Sequence, residues 1–273
     1  MQHSDVLTRP SRRPDMVMSY GDGSDHVADV RFSASQDGTG RGAPIVMFLH
    51  GGFWRSAYDR AHTGPLADAL SDSGFVVCTP EYRRAGQSGG GWPGTFDDVA
   101  SAVRTLPPMV AEASGGRADA SRVILGGHSA GGHLALWAAA EFGGTQTPPV
   151  EVVSLAGVCD LAACYRDGLD SDAAGGLMGG GPELYPDRYA SADPMRRVPV
   201  GARISLLHGT SDQRVPWQYS RDFAAKAQAA GDLADLELLA DCGHFQLIDP
   251  LSFVWPTVLA AFRQAAARLE EPS

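Results

Sequence analysis

The sequence predicts an α/β fold, with a doubly wound, mostly parallel β-sheet covered by helices on both faces. Short apolar runs alternate along the chain with amphipathic stretches of helix length. Runs that lack polar alternation are typical of strands buried on both faces, as strands are in parallel sheets. The 273 residues show no internal repeat and no linker between two cores, so one domain is the better interpretation.

The apolar runs and amphipathic stretches define the predicted elements. Six apolar runs are interpreted as strands, at residues 45–49, 75–78, 122–125, 150–155, 204–207 and 236–239. Five amphipathic stretches are interpreted as helices, at residues 65–71, 96–106, 131–142, 219–230 and 253–269. Parallel strands joined through a helix make right-handed crossovers, so this alternation of strands and helices places helices on both faces of the sheet.

Three segments depart from the alternation. Residues 85–94 are a glycine-rich loop with one aromatic residue, and residues 163–198 are a long excursion that we interpret as a possible small lid. Residues 1–15 are polar and interrupted by prolines, so we expect a flexible N-terminal segment. The single domain is then expected to span residues 16–273.

Composition argues against several classes of partner. The formal net charge is −10, with 22 Lys and Arg against 32 Asp and Glu, so the average field repels nucleic acid. No apolar run approaches the roughly 18 residues needed to span a membrane, and none of signal-peptide length follows Arg12 and Arg13. The four cysteines form no C-x-x-C pair, which favours reduced thiols and a cytoplasmic protein.

The strongest motif is G-x-S-x-G, formed by Gly127, His128, Ser129, Ala130 and Gly131. It stands between a predicted strand and a predicted helix, which is the context of a nucleophile elbow. A serine on this tight turn adopts strained backbone angles, and small neighbours let the chain pass closely enough to expose its hydroxyl. The glycine content, 33 of 273 residues, thus indicates special backbone geometry, and Ser129 is the candidate nucleophile.

A second motif, His50-Gly51-Gly52-Phe53-Trp54, follows the predicted strand at 45–49. An alcohol that attacks a carbonyl creates an oxyanion, which needs preorganised N–H donors. One donor is the residue after the nucleophile, Ala130, and others come from a loop with bare backbone. We therefore predict an oxyanion hole formed by the N–H groups of Gly52, Phe53 and Ala130. His50 is expected to support the loop, and Trp54 is equally compatible with core packing and with a pocket wall.

The nucleophile needs a base and an orienting carboxylate, in the chain order Ser, acid, His. Asp212 follows the predicted strand at 204–207, and His244 follows the strand at 236–239. Both therefore reach the carboxyl edge of the sheet, where the elbow also lies. Asp160 is the rival acid, and Asp249 is interpreted as a helix N-cap before Pro250. Of the eight histidines, only His244 lies C-terminal to Asp212.

The two motifs resemble the α/β-hydrolase superfamily, in particular its kynurenine formamidase (arylformamidase) and hormone-sensitive-lipase-like esterase branch. That branch pairs an H-G-G-x-W loop with a G-H-S-A-G-x-H-L-A elbow, and Glu81-Tyr82-Arg83 is similar to its D/N-Y-R element. The resemblance covers roughly residues 40–255 and implies an α/β-hydrolase fold with the triad Ser129, Asp212 and His244. Phe53 stands where the esterases usually carry a third glycine, which favours the formamidase-like loop.

These residues predict a serine hydrolase that acts through an acyl-enzyme on Ser129. Small carboxylic esters or an aryl-formamide such as N-formylkynurenine are the expected substrates. Trp54, Trp92 and Phe245 are candidate substrate-binding residues. We expect a small-molecule acyl substrate as the partner, neither nucleic acid nor membrane, and no metal or organic cofactor. The alternatives are a peptidase or acyl transferase of the same fold, or a non-catalytic ligand-binding relative; the sequence specifies no oligomeric state.

Overall fold

The computed structural model describes residues 5–33, 41–142 and 151–270. The strands in these residues form one eight-stranded sheet. The spatial order of the strands is β1-β2-β4-β3-β5-β6-β7-β8. The strands from β4 to β8 are parallel, whereas β1 pairs with β2, and β2 with β4, in antiparallel fashion. The prediction of a mostly parallel, doubly wound sheet is confirmed.

The strands are β1 Met16–Ser19, β2 Val27–Arg31, β3 Ala43–Leu49, β4 Val76–Pro80, β5 Ala118–His128, β6 Glu151–Leu155, β7 Arg203–Gly209 and β8 Leu233–Leu239. The α-helices are α1 Gly64–Asp72, α2 Gly94–Ala113, α3 Ala130–Phe142, α4 Leu161–Arg166, α5 Leu169–Met178, α6 Pro186–Ala192, α7 Gln218–Ala229 and α8 Trp255–Arg268. Short 3-10 helices are formed by Asp5–Thr8, Arg60–Thr63, Pro194–Arg196 and His244–Ile248.

The sheet separates two hydrophobic cores. Along β3, Ile45 and Met47 face the core that contains α2, α3 and α7, whereas Val46 and Phe48 face the core under α1 and α8. Because successive side chains of a strand point to opposite faces, a central strand covered on both faces is apolar at every position. This is the physical reason for the unbroken apolar runs in the sequence.

Helix α2 continues beyond its predicted end. The prediction stopped at Leu106, before Pro107 and Pro108, but the helix runs through both prolines to Ala113. Val110, which lies beyond them, is fully buried in the core with Leu106. Packing of this last stretch therefore offsets the two hydrogen bonds that proline cannot donate.

The excursion at residues 163–198 is helical. It holds most of α4, all of α5 and α6, and a 3-10 turn, and Ala174, Leu177 and Tyr189 are buried in the larger core. The first turn of α5 is left-handed at Asp170, Ser171 and Asp172. Short helices interrupted by glycines lack the long amphipathic period that identifies a helix in sequence, which is why they were not predicted.

Of the N-terminal segment that the sequence predicts to be flexible, the structure describes residues 5–15, which pack against the domain; residues 1–4 lie outside the described residues. Val6 is fully buried in the smaller core, and Arg9 forms a bidentate ion pair with Asp249. Farther along, Arg12 pairs with Asp72 at 2.9 Å. A polar segment can be ordered by pairing its charges with the domain, and such long-range pairs leave no periodic signal in the sequence.

The elbow between β5 and α3 depends on close backbone contacts. A Cβ atom on Gly131 would lie 2.0 Å from the carbonyl oxygen of Leu49 in β3, and one on Gly127 would lie 2.2 Å from the carbonyl oxygen of Gly131. Real Cβ atoms do not approach backbone oxygens this closely. The two glycines therefore allow the first turn of α3 to rest directly on the end of β3.

We expect Gly131→Ala to destabilise the fold by about 1–3 kcal/mol, because the new methyl group collides with backbone that cannot move aside. Urea unfolding followed by circular dichroism measures the change. Gly176→Ala is the matched control, since Gly176 is exposed in α5 and a Cβ there meets no atom within 4 Å. A Gly131→Ala protein as stable as the Gly176→Ala protein would contradict this account of the elbow.

Candidate active site

Ser129 occupies the strained turn between β5 and α3. Its φ angle is 57°, in the left-handed region that non-glycine residues rarely adopt. Its backbone is held on both sides: the N–H donates to the Leu155 carbonyl at 2.9 Å, and the carbonyl accepts from Val158 at 3.2 Å. Strand β6 and the segment directly after it thus supply the hydrogen bonds that keep the serine in this conformation, as a nucleophile elbow requires.

The loop after β3 lies directly beside this serine. A Cβ on Gly51 would lie 3.1 Å from the Ser129 Cβ and 3.0 Å from the His128 carbonyl oxygen. Gly52, Phe53 and Trp54 all have positive φ angles, of 111°, 49° and 55°. In the described part of the chain, the N–H groups of Gly52 and Phe53 donate to no acceptor. The predicted donors are therefore unpaired and next to the predicted nucleophile.

Ala130 supplies the third predicted donor. It is the first residue of α3, so its N–H has no partner within the helix. A helix N-terminus also carries partial positive charge, which favours an anion at this point. The elbow and the loop after β3 thus bring three predicted donors to one end of the sheet.

Asp212 and His244 follow neighbouring parallel strands, β7 and β8, and meet at the carboxyl edge of the sheet. His244 Nδ1 lies 2.6 Å from Asp212 Oδ2. The other oxygen of Asp212 accepts from the N–H groups of Arg214 and Val215 at 2.7 and 2.9 Å. The Asp212 side chain is fully buried, and His208 Nε2 lies 3.3 Å from Oδ2.

These contacts keep Asp212 ionised. Burial by itself would raise the pKa of the carboxyl, but hydrogen bonds from His208 and His244 lower it well below its usual range. A permanently charged, fixed carboxylate orients the His244 ring, so that Nδ1 faces Asp212 and Nε2 is left for another partner.

Ser129 and His244 line the same solvent-open cleft, together with Gly52, Phe53 and Phe245. Among the described residues, no hydrogen bond within 3.5 Å joins the Ser129 hydroxyl to His244. Such bonds are often long in ligand-free enzymes and tighten in the complex with substrate. The structure thus places the predicted nucleophile and base in one cleft and pairs the base with the predicted acid.

The two other acids are engaged elsewhere. Asp160 caps α4 by accepting a hydrogen bond from the Ala163 N–H at 2.7 Å. The interpretation of Asp249 as a helix N-cap is wrong, because α8 begins only at Trp255. Asp249 instead pairs with Arg9 and accepts from the Leu251 N–H at 2.8 Å. In the described part of the chain, no hydrogen bond or ion pair joins either carboxylate to His244.

The aromatic candidates separate into two groups. Phe245 lines the cleft, and its ring meets that of His244 edge-on at 5.2 Å. Trp54, a candidate substrate-binding residue, lies in the core and not in the cleft, because its side chain has no exposed surface and packs against His133. Trp92 is also outside the cleft, since its ring packs on Phe96 at 5.0 Å and its backbone N–H donates to the Leu177 carbonyl in α5.

Six residues that line the cleft were not predicted as site residues: Leu7, Tyr58, His62, His128, Asp170 and Arg214. Burial and the neighbouring His50 lower the pKa of His62 to about 4, so this ring is neutral at physiological pH. Tyr58 and Arg214 follow the two predicted loops by a few residues, and that proximity is the signal that could have found them. Leu7 and Asp170 come from distant parts of the chain and carry no such signal.

A buried polar network supports the loop after β3. His50 Nε2 lies 2.8 Å from Glu81 Oε1, and its ring stacks on Tyr82 at 4.3 Å between centroids. The Tyr82 hydroxyl donates to the His50 carbonyl at 2.7 Å. Glu81 also accepts from the Arg60 N–H at 3.0 Å and pairs with Arg84 at 3.2 Å. The expected supporting role of His50 agrees with this arrangement.

The same network perturbs Glu81. Burial would raise the pKa of this carboxyl, but the hydrogen bonds from His50 and Arg60 and the charge of Arg84 lower it to about 2. Because the pKa of Glu81 is lower in the folded protein than in the unfolded chain, the ionised carboxyl stabilises the fold at every pH above the unfolded pKa. This contribution is lost as the pH falls from about 4.5 through 2.

We therefore expect Glu81→Gln to be less stable than wild type at pH 7, by on the order of 2–3 kcal/mol. The gap should narrow below about pH 4.5, because the unfolded chain then takes up a proton that folded wild-type Glu81, with its pKa of about 2, does not. Melting temperatures measured by scanning fluorimetry from pH 7 to pH 3 test this, with the exposed Glu237→Gln on β8 as the control. A gap that stays constant over this range would refute the role assigned to the Glu81 charge.

The described part of the chain contains no group of three or more His, Cys, Asp or Glu placed to hold a metal ion. None of the helices in that part is long and apolar enough to cross a membrane.

Two relatives named as esterases are longer than this chain. The chain is 27% identical over 229 residues to a probable isoprenylcysteine alpha-carbonyl methylesterase from Oryza sativa subsp. japonica. The alignment covers 77% of this chain and 54% of that protein. It is 28% identical over 251 residues to esterase LipC from Mycobacterium tuberculosis, covering 84% of this chain and 59% of that one. The chain thus spans little more than half the length of these relatives.

Solved structures share the fold. A truncated carbohydrate esterase from gut microbiota superimposes with a TM-score of 0.77 at 20% identity, covering 93% of this chain and 98% of that one. Esterase B from Lactobacillus rhamnosis gives 0.77 at 18% identity, covering 97% and 90%. These similarities show the α/β-hydrolase fold.

A family model described as BD-FAE matches residues 32–227. The match includes the loop after β3, the elbow with Ser129, and Asp212, and it ends before His244. Since it covers most of the chain, this protein belongs to the BD-FAE family within the α/β-hydrolase fold.

Proposed function

We propose that this protein is a carboxylic ester hydrolase that acts through an acyl-enzyme on Ser129. The observation that carries the proposal is that Ser129 and His244 line the same cleft. Ser129 has a φ angle of 57°, and His244 Nδ1 lies 2.6 Å from Asp212 Oδ2. The esterase activity of the named relatives supports the same reaction class.

Acylation follows from this arrangement. His244 Nε2 takes the proton of the Ser129 hydroxyl while Oγ bonds to the carbonyl carbon of the ester. Asp212 stabilises the imidazolium that forms, since its Oδ2 already accepts a hydrogen bond from His244 Nδ1–H. His244 then gives its proton to the leaving alcohol as the ester C–O bond breaks, which leaves the acyl group on Ser129.

The oxyanion of the tetrahedral intermediate is assigned to the N–H groups of Gly52, Phe53 and Ala130. Fixed donors of this kind stabilise charge that develops only in the transition state, and losing one typically costs about 100- to 1,000-fold in turnover. Deacylation repeats the steps with water. His244 takes a water proton as the water oxygen bonds to the acyl carbon; the bond from that carbon to Ser129 Oγ then breaks, His244 returns the proton to Oγ, and the carboxylic acid leaves.

An aryl-formamide is the finer substrate proposal. The His50-Gly51-Gly52-Phe53-Trp54 loop resembles that of kynurenine formamidases, and Phe53 and Phe245 give the cleft two aromatic walls. Aromatic side chains favour a flat aromatic group on the substrate. Transfer to an acceptor other than water, peptide hydrolysis and ligand binding without turnover are the alternatives, and the products distinguish them.

We expect a fluorophosphonate probe to label the wild-type protein and not Ser129→Ala. The same variant should lose about 10,000-fold or more in turnover of 4-nitrophenyl acetate, because the nucleophile is removed. Ser56→Ala, at an exposed serine outside the cleft, is the control for folding and for probe specificity. Labelling that persists in Ser129→Ala would overturn the assignment of the nucleophile. Turnover of the ester without N-formylkynurenine would leave the esterase proposal and remove the formamidase one.

We expect Asp212→Asn to lower kcat by about 1,000- to 10,000-fold, because the amide no longer holds the His244 tautomer. The kcat of Asp160→Asn should stay within about tenfold of the wild-type kcat, since asparagine still caps α4. Steady-state kinetics on 4-nitrophenyl acetate compares the two variants, whose substitutions are chemically identical. The larger loss in Asp160→Asn would show that the acid is misassigned.

A further inference from the structure

The cleft contains one guanidinium that its surroundings do not neutralise. The exposed side chain of Arg214 lines the cleft with Ser129 and His244. Among the described residues, it makes no side-chain hydrogen bond or ion pair. The other acid of the cleft, Asp170, is taken by Arg55, whose Nε lies 2.7 Å from Oδ2 and whose Nη2 bonds the Asp170 carbonyl.

The backbone of Arg214 is fixed to the proposed acid. Its N–H donates to Asp212 Oδ1 at 2.7 Å, and the next N–H, of Val215, donates to the same oxygen at 2.9 Å. Val215 is fully buried, and its carbonyl accepts from His208 Nε2 at 3.1 Å. The guanidinium is therefore carried by a rigid turn, while its side chain remains free to meet a ligand.

The remaining titratable groups that face this part of the cleft do not cancel the charge. Burial holds His62 and His128 in their neutral forms. The Asp212 carboxylate is fully buried and bound to two histidines and two N–H groups. Among the described residues that line the cleft, the positive charge of Arg214 is thus unpaired, in a chain whose formal net charge is −10.

We propose that Arg214 is a carboxylate-binding subsite, so that the preferred substrates are esters or amides that carry a carboxylate beside the bond to be cleaved. A guanidinium binds a carboxylate through two parallel hydrogen bonds, which a lysine cannot reproduce. This inference rests on the proposed hydrolase function of Ser129. It adds a specificity for anionic substrates that the esterase reaction itself does not need.

Two matched pairs of esters test the inference and tell which half of the substrate holds the carboxylate. For the leaving group the pair is 4-acetoxybenzoate and 4-acetoxybenzamide. For the acyl group it is mono-4-nitrophenyl glutarate and 4-nitrophenyl butyrate. The quantity measured is the ratio of kcat/KM for the anionic ester to that for its neutral partner.

In at least one pair, Arg214→Gln should lower this ratio about fivefold to tenfold, as expected for loss of a charged hydrogen bond at a partly exposed site. Arg214→Lys should restore the ratio only in part. Arg263→Gln is the matched control, because Arg263 is an exposed arginine on α8. The wild-type ratio should also fall with added salt, and that of Arg214→Gln should not. Ratios that are the same in wild type and Arg214→Gln for both pairs would overturn the inference.

A binding experiment separates this inference from the hydrolase proposal. The Ser129→Ala protein, which cannot consume the esters, is titrated with each carboxylate ester by calorimetry, with and without Arg214→Gln. A dissociation constant weakened about fivefold to tenfold by Arg214→Gln supports the subsite even if the wild-type enzyme turns over no ester. Equal dissociation constants refute the subsite, whereas absence of fluorophosphonate labelling refutes the nucleophile.

Discussion

The active-site cleft depends on one close backbone contact, that of the first turn of α3 with the carboxyl end of β3. Gly131 lies against the Leu49 carbonyl so closely that no side chain fits between them. This contact sets the distance between the elbow and the loop that follows β3. It therefore places Ser129 beside Gly51 and brings the N–H groups of Gly52, Phe53 and Ala130 to one end of the sheet. The strain at Ser129 is sustained because β6 and the segment that follows it hydrogen-bond to its backbone.

The parallel sheet solves the remaining problem of bringing distant residues together. Because β5, β7 and β8 all end at the same edge, the residues that follow them meet there although more than a hundred positions separate the first from the last. The buried charge of Asp212 would be costly alone, and its hydrogen bonds to two histidines and two N–H groups offset that cost. The Glu81 network plays the corresponding part under the loop after β3. Buried acids on both sides of the cleft thus hold its walls in place.

The helices at 161–196 complete the cleft from outside the sheet. Arg55, from the loop after β3, binds Asp170 at the left-handed start of α5. This pair connects the proposed oxyanion loop to the excursion and uses up the negative charge of Asp170. The net charge left in the cleft is consequently positive and comes from Arg214. The fold thereby connects the wall of the site to the charge preference that we propose for it.

The sequence by itself determined the mostly parallel sheet, the elbow at Ser129, the loop at Gly51 and Gly52, and the order of Asp212 and His244. Each of these is local: an unbroken apolar run, a glycine spacing or a residue just after a strand reports on backbone that lies within a few positions. The tertiary structure alone decided that Trp54 and Trp92 lie outside the cleft, that Asp249 pairs with Arg9, and that Leu7 and Asp170 line the site. These outcomes depend on which distant segments pack together, and such contacts follow from the shape of the whole core and not from any local period.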